Sequence, residues 1–280
     1  MTTTTRIAIP TKGRLSGPSL DLLRAAGLVF ETSSGALSVV ARNVPIEVLF
    51  LRAEDIPDLV CNGVAEYGIT GLDLVVESGV ESAVLQDLRF GRCTLTAAVQ
   101  ESSSVTTIDG FAGLRVATSH QATVGRFFAD KGIEITTVPL HGSVEVAPKL
   151  NIADAVADLV SSGSTMMING LRPVATILES QAVLIGQQGA GSSSLATMIR
   201  AVVVAKRKRY ILMNVHEESI ATIEGIIPGA DSPTVVSLAQ DGMYAVHSVV
   251  DADEMWHVLP ALEAAGASAI LVLPIEQMIP

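Results

Sequence analysis

Short apolar runs bounded by turn residues, most of them followed by a helix-length stretch, recur along the first two thirds of this 280-residue chain. Arg6–Pro10 (RIAIP), Ile46–Leu51 (IEVLFL), Tyr67–Thr70 (YGIT), Thr94–Val99, Leu114–Thr118 (LRVAT), Ile133–Val138 and Asp154–Val160 (DAVADLV) read as strands. Helices are expected from Ser16, a good N-cap, to Gly27, over Asp55–Asn62, after Asp73, from Thr118 to Lys131, and from Met166 onward. Strands that alternate with helices build α/β folds with parallel sheets. Two such runs, near 1–90 and 95–170, predict two lobes with a cleft between them.

The pattern then changes. A helix is expected from Ser194 to Arg209, ending in the cations Lys206–Arg209, which suit a helix C-terminus. Strands at Tyr210–Val215, Thr234–Leu238, Met243–Val250 and Ala267–Leu273 interleave with helices at Glu217–Ile226 and Asp253–Ala265. That βαββαβ order is ferredoxin-like and predicts a compact regulatory or oligomerisation module.

Composition limits the function. With 49% hydrophobic and 17% charged residues the chain is not disordered. Eighteen Lys and Arg against 29 Asp and Glu leave a net charge of −11, which repels a phosphate backbone and argues against broad nucleic-acid binding. A small anion is still accessible to a local cluster of donors. Cys61 and Cys93 form no CxxC and read as reduced thiols. The start, MTTTTR, lacks a signal peptide's apolar core, and no run of about 18 apolar residues predicts a membrane helix, so a cytoplasmic location is expected.

The candidate chemistry centres on Ser161–Thr165 (SSGST), a turn expected between a strand and a helix. Unpaired amides, three Ser hydroxyls, one Thr hydroxyl and a permissive Gly163 make a phosphate cradle without the lysine of a P-loop. Asp154 and Asp158 precede it at an even spacing, which puts both acids on one strand face. Acids beside a phosphate cradle suit a sugar phosphate, phosphoribosyl diphosphate being the natural candidate, with Glu145 as a third acid. In the first lobe Lys12, Arg14 and Arg52 follow strand ends, where parallel sheets place ligands. Gly68, Gly71 and Asp73 also follow a strand; the glycines would admit a flat ring and Asp73 would accept from it. The five histidines show no HExxH spacing, and neither G-x-S-x-G nor G-x-G-x-x-G after the first strand is present.

These stretches, above all His141–Leu171 (HGSVEVAPKLNIADAVADLVSSGSTMMINGL), resemble the long form of the ATP phosphoribosyltransferase family. TKGRLS (Thr11–Ser16), LRAEDIPDLV (Leu51–Val60), YGITGLD (Tyr67–Asp73), LRVATS (Leu114–Ser119), ESQAVLI (Glu179–Ile185), PGADSPT (Pro228–Thr234) and GASAILVLPIEQM (Gly266–Met278) support it. The resemblance implies a two-lobed periplasmic-binding-protein-like catalytic unit plus a ferredoxin-like regulatory domain. Lobe I would be residues 1–92 and 175–205, lobe II 93–174, and the regulatory domain 206–280. It implies transfer of phosphoribosyl from phosphoribosyl diphosphate to ATP, with magnesium carried by the diphosphate, a homo-oligomer up to a hexamer, and inhibition by histidine. Asp158, Glu145 and Lys12 would be catalytic; Asp154, Asp158, Ser161, Ser162, Gly163, Ser164 and Thr165 would hold phosphoribosyl diphosphate. Lys12, Arg14, Arg52, Gly71, Asp73 and Thr118 would line the ATP side, and Asn214, Ser232, Thr234 and Ala269 the histidine pocket. Asn151 stands where the family usually has Gly, and His120-Gln121 where it often has Tyr-Pro. Two rivals share the fold: a solute-binding protein and an inactive histidine-sensing paralogue.

Overall fold

The computed structural model describes residues 4–33, 35–161, 167–187, 189–227 and 232–279. Its first compact unit runs to Asp21 and then over Leu28–Gly191. One six-stranded sheet there has the order β2-β3-β1-β4-β11-β5, with β1 at Thr5–Pro10, β2 at Ser38–Val40, β3 at Ile46–Leu51, β4 at Tyr67–Gly71, β5 at Val84–Asp87 and β11 at Ala182–Gly186. β1 pairs in parallel with β3 and β4, as the apolar runs predicted, while β11 is antiparallel to β4. Helices α1 (Ser16–Ala25), α2 (Ile56–Cys61) and α3 (Leu72–Ser78) follow strands of this sheet.

The second sheet of this unit has the order β10-β6-β9-β7-β8. Its strands are β6 (Cys93–Gln100), β7 (Arg115–Thr118), β8 (Thr136–Pro139), β9 (Ala155–Val160) and β10 (Leu171–Ser180), and α4 (Gln121–Ala129) follows β7. β7 pairs in parallel with β8 and β9, and β6 is antiparallel to β9 and β10. Phe111 and Phe128, with ring centroids 5.2 Å apart, fill the core between this sheet and α4.

The chain crosses between the sheets twice, over residues 88–92 and at Gln181. The second crossing corrects the expected return near 175, because β10 pairs with β6 along its length. It also corrects the expected helix from Met166 onward. Helical conformation among the described residues ends at Ile168, Gly170 N donates to Met167 O (3.0 Å), and the chain turns into β10.

The second compact unit comprises Leu22–Gly27 and residues 192–280. Helix α5 (Ser194–Ala205), capped by Ser193, belongs here and not with lobe I. Met278 N donates to Ala201 O (3.0 Å) and Gln277 Nε2 to Ala25 O (2.8 Å). α5 ends at Ala205, before the basic run. Lys208 instead opens strand β12 (Lys208–His216) and pairs with Asp251 at 3.1 Å. Helices α6 (Ile220–Ile226) and α7 (Met255–Ala264) pack on a sheet of order β13-β14-β12-β15, with β13 at Thr234–Ser237, β14 at Met243–Asp251 and β15 at Ser268–Pro274. Every pairing is antiparallel, so the βαββαβ module is ferredoxin-like.

Two residues show what decides local sequence. A Cβ on Gly68 would stand 2.4 Å from Ile56 Cγ2 and 3.0 Å from Val60 Cγ2, so this glycine serves the core beneath β4 and not a ligand ring. Asn151 has φ +57°, the left-handed region where Asn is the side chain best tolerated after Gly. Its departure from the family pattern is therefore a matter of backbone shape. Gly68→Ala is expected to lower the chemical-denaturation midpoint, with a loss of roughly 1–3 kcal/mol from overpacking. An unchanged midpoint would contradict the close approach.

Candidate active site

The two lobes of the first unit meet around one buried carboxylate. Asp73 opens α3 in lobe I and is 2% exposed. Its Oδ1 accepts from the Ser180 hydroxyl at 2.5 Å and from Arg14 Nη2 at 3.5 Å. Its Oδ2 faces His120 Nε2 at 3.2 Å. Burial pushes the Asp73 carboxyl up, but hydrogen bonds from His120 and Ser180 and the charge of Arg14 outweigh it and hold it below the usual carboxylate range. An ionised Asp73 only accepts, so His120 Nε2 donates to it, and His120 Nδ1 lies 3.0 Å from the Ser119 hydroxyl.

This network redirects several sequence expectations. Asp73 is engaged by protein donors on both oxygens and also lines the smaller cavity described below. A Cβ on Gly71 would lie 2.3 Å from Asp73 Oδ1, so that glycine makes room for the carboxylate. Thr118 is buried beneath the His120 backbone, whose N–H donates to its hydroxyl at 3.0 Å. Arg14 is pinned at the hinge, with Nε donating to Gly91 O (3.2 Å) and Nη2 to Cys93 Sγ (2.8 Å). Burial pushes the Cys93 thiol up against the pull of Arg14. Arg52 is exposed at the end of β3 and lines neither cavity described below.

The acids expected to share a strand face separate into two roles. Asp158 sits within β9 on the face of Val156 and Val160, and its carboxylate accepts from Leu159 N at 2.8 Å. Burial pushes its carboxyl above the usual range, and the nearby Glu145 charge adds to that. Asp154 precedes β9 at the opposite end, about 13 Å away at strand rise. There Arg115 Nη2 and Nε donate to its two oxygens at 2.8 and 3.1 Å, and Arg115 N donates at 2.9 Å. Those hydrogen bonds hold its carboxyl below the usual range. Asp154 is thus a clamp on the Asn151–Ile152 turn, whose carbonyls also accept from Arg115, and it stands away from the cradle.

Two cavities flank the Asp73 network. One of about 530 Å³ is lined by Leu72, Arg92, Thr94, Val160, Ser161 and Glu179, with Cys93 and Ser180 in its wall. The other, of about 180 Å³, is lined by Lys12, Arg14, Gly71, Asp73, His120 and Leu159. The contacts Arg14–Cys93 and Asp73–Ser180 form the partition. Ser161 faces the larger cavity; Ser162, Gly163, Ser164 and Thr165 lie outside the described residues. Arg92 was missed by the sequence reading. Antiparallel pairing of Thr94 with Val160 brings it to the cavity that Ser161 also lines, and it has no ion-pair partner among the described residues. Only its place before a strand start could have signalled it.

In the C-terminal module Asn214 pairs with Ser268, whose hydroxyl donates to Asn214 O at 3.2 Å. Ala269 takes φ +48° in a bulge beside them. Thr234 lies two strands away, in register with Leu212 through His247, and Ser232 precedes it. These residues do not converge within one chain.

Comparison with known proteins decides the family. Residues 52–205 match the HisG family, ATP phosphoribosyltransferase, and residues 205–277 match the HisG C-terminal domain. The chain belongs to the ATP phosphoribosyltransferase family. Curated ATP phosphoribosyltransferases of Cytophaga hutchinsonii (38% identical, all of both chains) and Phocaeicola vulgatus (40%, 98% of this chain and 99% of that one) match along their length. Among solved structures, the ATP phosphoribosyl transferase (HisG:HisZ) complex of Thermotoga maritima aligns at a TM-score of 0.60 and 23% identity, over 70% of this chain and 98% of that one. The ATP-bound XAC2383 of Xanthomonas citri aligns at 0.51 and 12%, over 73% and 84%. These last two likenesses are of fold alone. As a long-form member the chain is an ATP phosphoribosyltransferase, the enzyme of the first step of histidine biosynthesis.

Two outcomes test the division between the acids. Asp154→Ala should lower the thermal midpoint while leaving the KM for phosphoribosyl diphosphate within about twofold, well below the factor of ten that about 1.4 kcal/mol of binding represents. A raised KM with an unchanged midpoint would return Asp154 to the substrate. A carboxyl whose pKa is raised on folding binds its proton more tightly in the folded state, so stability falls as pH rises from the unfolded carboxylate range through the folded pKa. Asp158→Asn should therefore melt higher than the parent at neutral pH, with the gap closing towards acid. A lower midpoint at pH 7 would contradict the strain assigned to Asp158.

Proposed function

We propose that the 530 Å³ cavity takes phosphoribosyl diphosphate and the 180 Å³ cavity the adenine end of ATP, so that the two meet at the edge of β9. One observation carries this reading: the cavities share a wall, and a cation without an ion-pair partner among the described residues lines each, Arg92 in one and Lys12 in the other.

Adenine N1 attacks the anomeric carbon and diphosphate leaves, through a transition state with positive charge on the ribose ring. A ring nitrogen is already nucleophilic and needs no strong base. Alignment and charge stabilisation are what the protein supplies. Amides and hydroxyls from Ser161 to Thr165 anchor the 5-phosphate, and Arg92 adds its charge. Asp158, with Glu145 beside it, holds the ribose hydroxyls and faces the developing positive charge. The strain of burying Asp158 is relieved as that charge appears. Lys12 and the outward part of Arg14 hold the phosphates of ATP.

Magnesium, carried by the diphosphate, would supply neutralisation of the departing charge. Among the described residues no group of three His, Cys, Asp or Glu could hold a metal ion, and no helix is long and apolar enough to cross a membrane. Histidine inhibits through the C-terminal module. The separation of Asn214 and Ala269 from Thr234 means that a pocket using all of them is completed between copies in a homo-oligomer of up to six chains.

Turnover with ATP, phosphoribosyl diphosphate and magnesium tests the site. Asp158→Ala should lower kcat by tenfold or more, at least about 1.4 kcal/mol of transition-state stabilisation. Arg92→Ala should raise the KM for phosphoribosyl diphosphate more than that for ATP. Activity of Asp158→Ala within about threefold of the parent, less than about 0.7 kcal/mol, would remove Asp158 from its role.

A further inference from the structure

We propose that Glu77 and His120 are positioning residues that latch the two lobes of the catalytic unit over bound substrates. Glu77 does so by capping α4 from the opposite lobe, and His120 by tying Asp73 to the end of β7.

The first amides of a helix have no partner within it. His120, the residue before α4, gives no side-chain cap. The cap arrives instead from α3 across the cleft: Glu77 Oε1 accepts from Ala122 N at 2.8 Å, and Oε2 accepts from Thr123 N at 2.8 Å and from the Thr123 hydroxyl at 2.7 Å. A carboxylate at a helix N-terminus is also favoured by the helix dipole. Arg126, further along α4, donates to Val76 O and lies 3.7 Å from Glu81. Four residues before Glu77, and so on the same face of α3, Asp73 takes His120 at 3.2 Å. One face of lobe I thus engages the first turns of a single helix of lobe II.

The two contacts differ in depth. Asp73 and His120 are both buried, and separating them would leave an unpaired charge in the interior. Ser180, next to the crossing at Gln181, bonds the same carboxylate, so this pair marks the pivot. Glu77 is only half-buried, and on opening water can replace it at the amides. That contact is the reversible one, which a cleft that must admit two substrates requires. Glu77 lines neither cavity, whereas His120 also lines the smaller one, its two ring nitrogens 3.0 Å from the Ser119 hydroxyl and 3.2 Å from Asp73.

The latch deepens the site proposed above by naming what closes it, and it is read separately from turnover. Hydrogen exchange of the full-length protein is followed over the segment 120–126, with and without ATP and phosphoribosyl diphosphate, beside steady-state kinetics. Substrates should slow exchange there in the parent. Glu77→Ala should speed it about tenfold and raise both KM values severalfold, with kcat within about twofold, a tenfold change being about 1.4 kcal/mol. Should that variant not fold, Glu77→Gln, which keeps one acceptor, should show the same changes at smaller size. His120→Leu should raise both KM values further, and His120→Gln, which restores a donor towards Asp73, should recover most of the loss. Unchanged exchange in Glu77→Ala, or faster exchange with unchanged KM values, would overturn the latch. Faster exchange in that variant without any response of the parent to substrates would support the contact and count against the substrate site alone.

Discussion

Burying the Asp73 carboxylate fixes more of this molecule than any other interaction. A charge removed from water is costly unless donors surround it. Its donors come from three parts of the chain: Arg14 after β1, His120 after β7, and Ser180 at the end of β10. All three can reach it only when both sheets stand in one relation to each other. The requirement to pair a single carboxylate therefore sets the geometry of the cleft, with Asp73, Arg14 and His120 lining one cavity and Ser180 the other.

β9 illustrates how one residue type serves opposite ends. Asp154 is held ionised by Arg115 and secures the entry to the strand. Asp158, four residues later, is pushed up by burial, with the Glu145 charge adding to it and His120 opposing it. The first contributes stability; the second carries strain that a positively charged transition state would relieve. Natural active sites commonly hold such locally unfavourable groups, offset by the rest of the fold.

Most strands of the two lobes, though not β5, and the whole βαββαβ module were legible in the sequence because their apolar runs are short and bounded by turn residues. β10 was not. It contains Pro173, and register shifts at Pro173/Ala175 and Thr176/Leu178 break the alternation that marks a strand. The expected helix beyond Ala205 failed for a related reason: Lys and Arg are good helix formers, yet pairing with β14 draws Lys208 and Arg209 into a sheet. For the site, the even spacing of Asp154 and Asp158 was real but silent on which strand end each occupies. Asp73 is legible as a site residue, but its protein partners are not, since no local pattern announces partners 47 and 107 residues away. Arg92 carried little pattern, because only the antiparallel pairing of β6 with β9 brings it to the cavity that Ser161 lines.

A crystal structure with phosphoribosyl diphosphate bound addresses the central claim most directly. The account predicts the 5-phosphate against Ser161 and the residues after it, with a ribose hydroxyl within about 3 Å of the Asp158 carboxylate and Arg92 turned to a phosphate oxygen. Phosphate density at the Arg115–Asp154 end of β9, or a ribose that leaves Asp158 without contact, would contradict it.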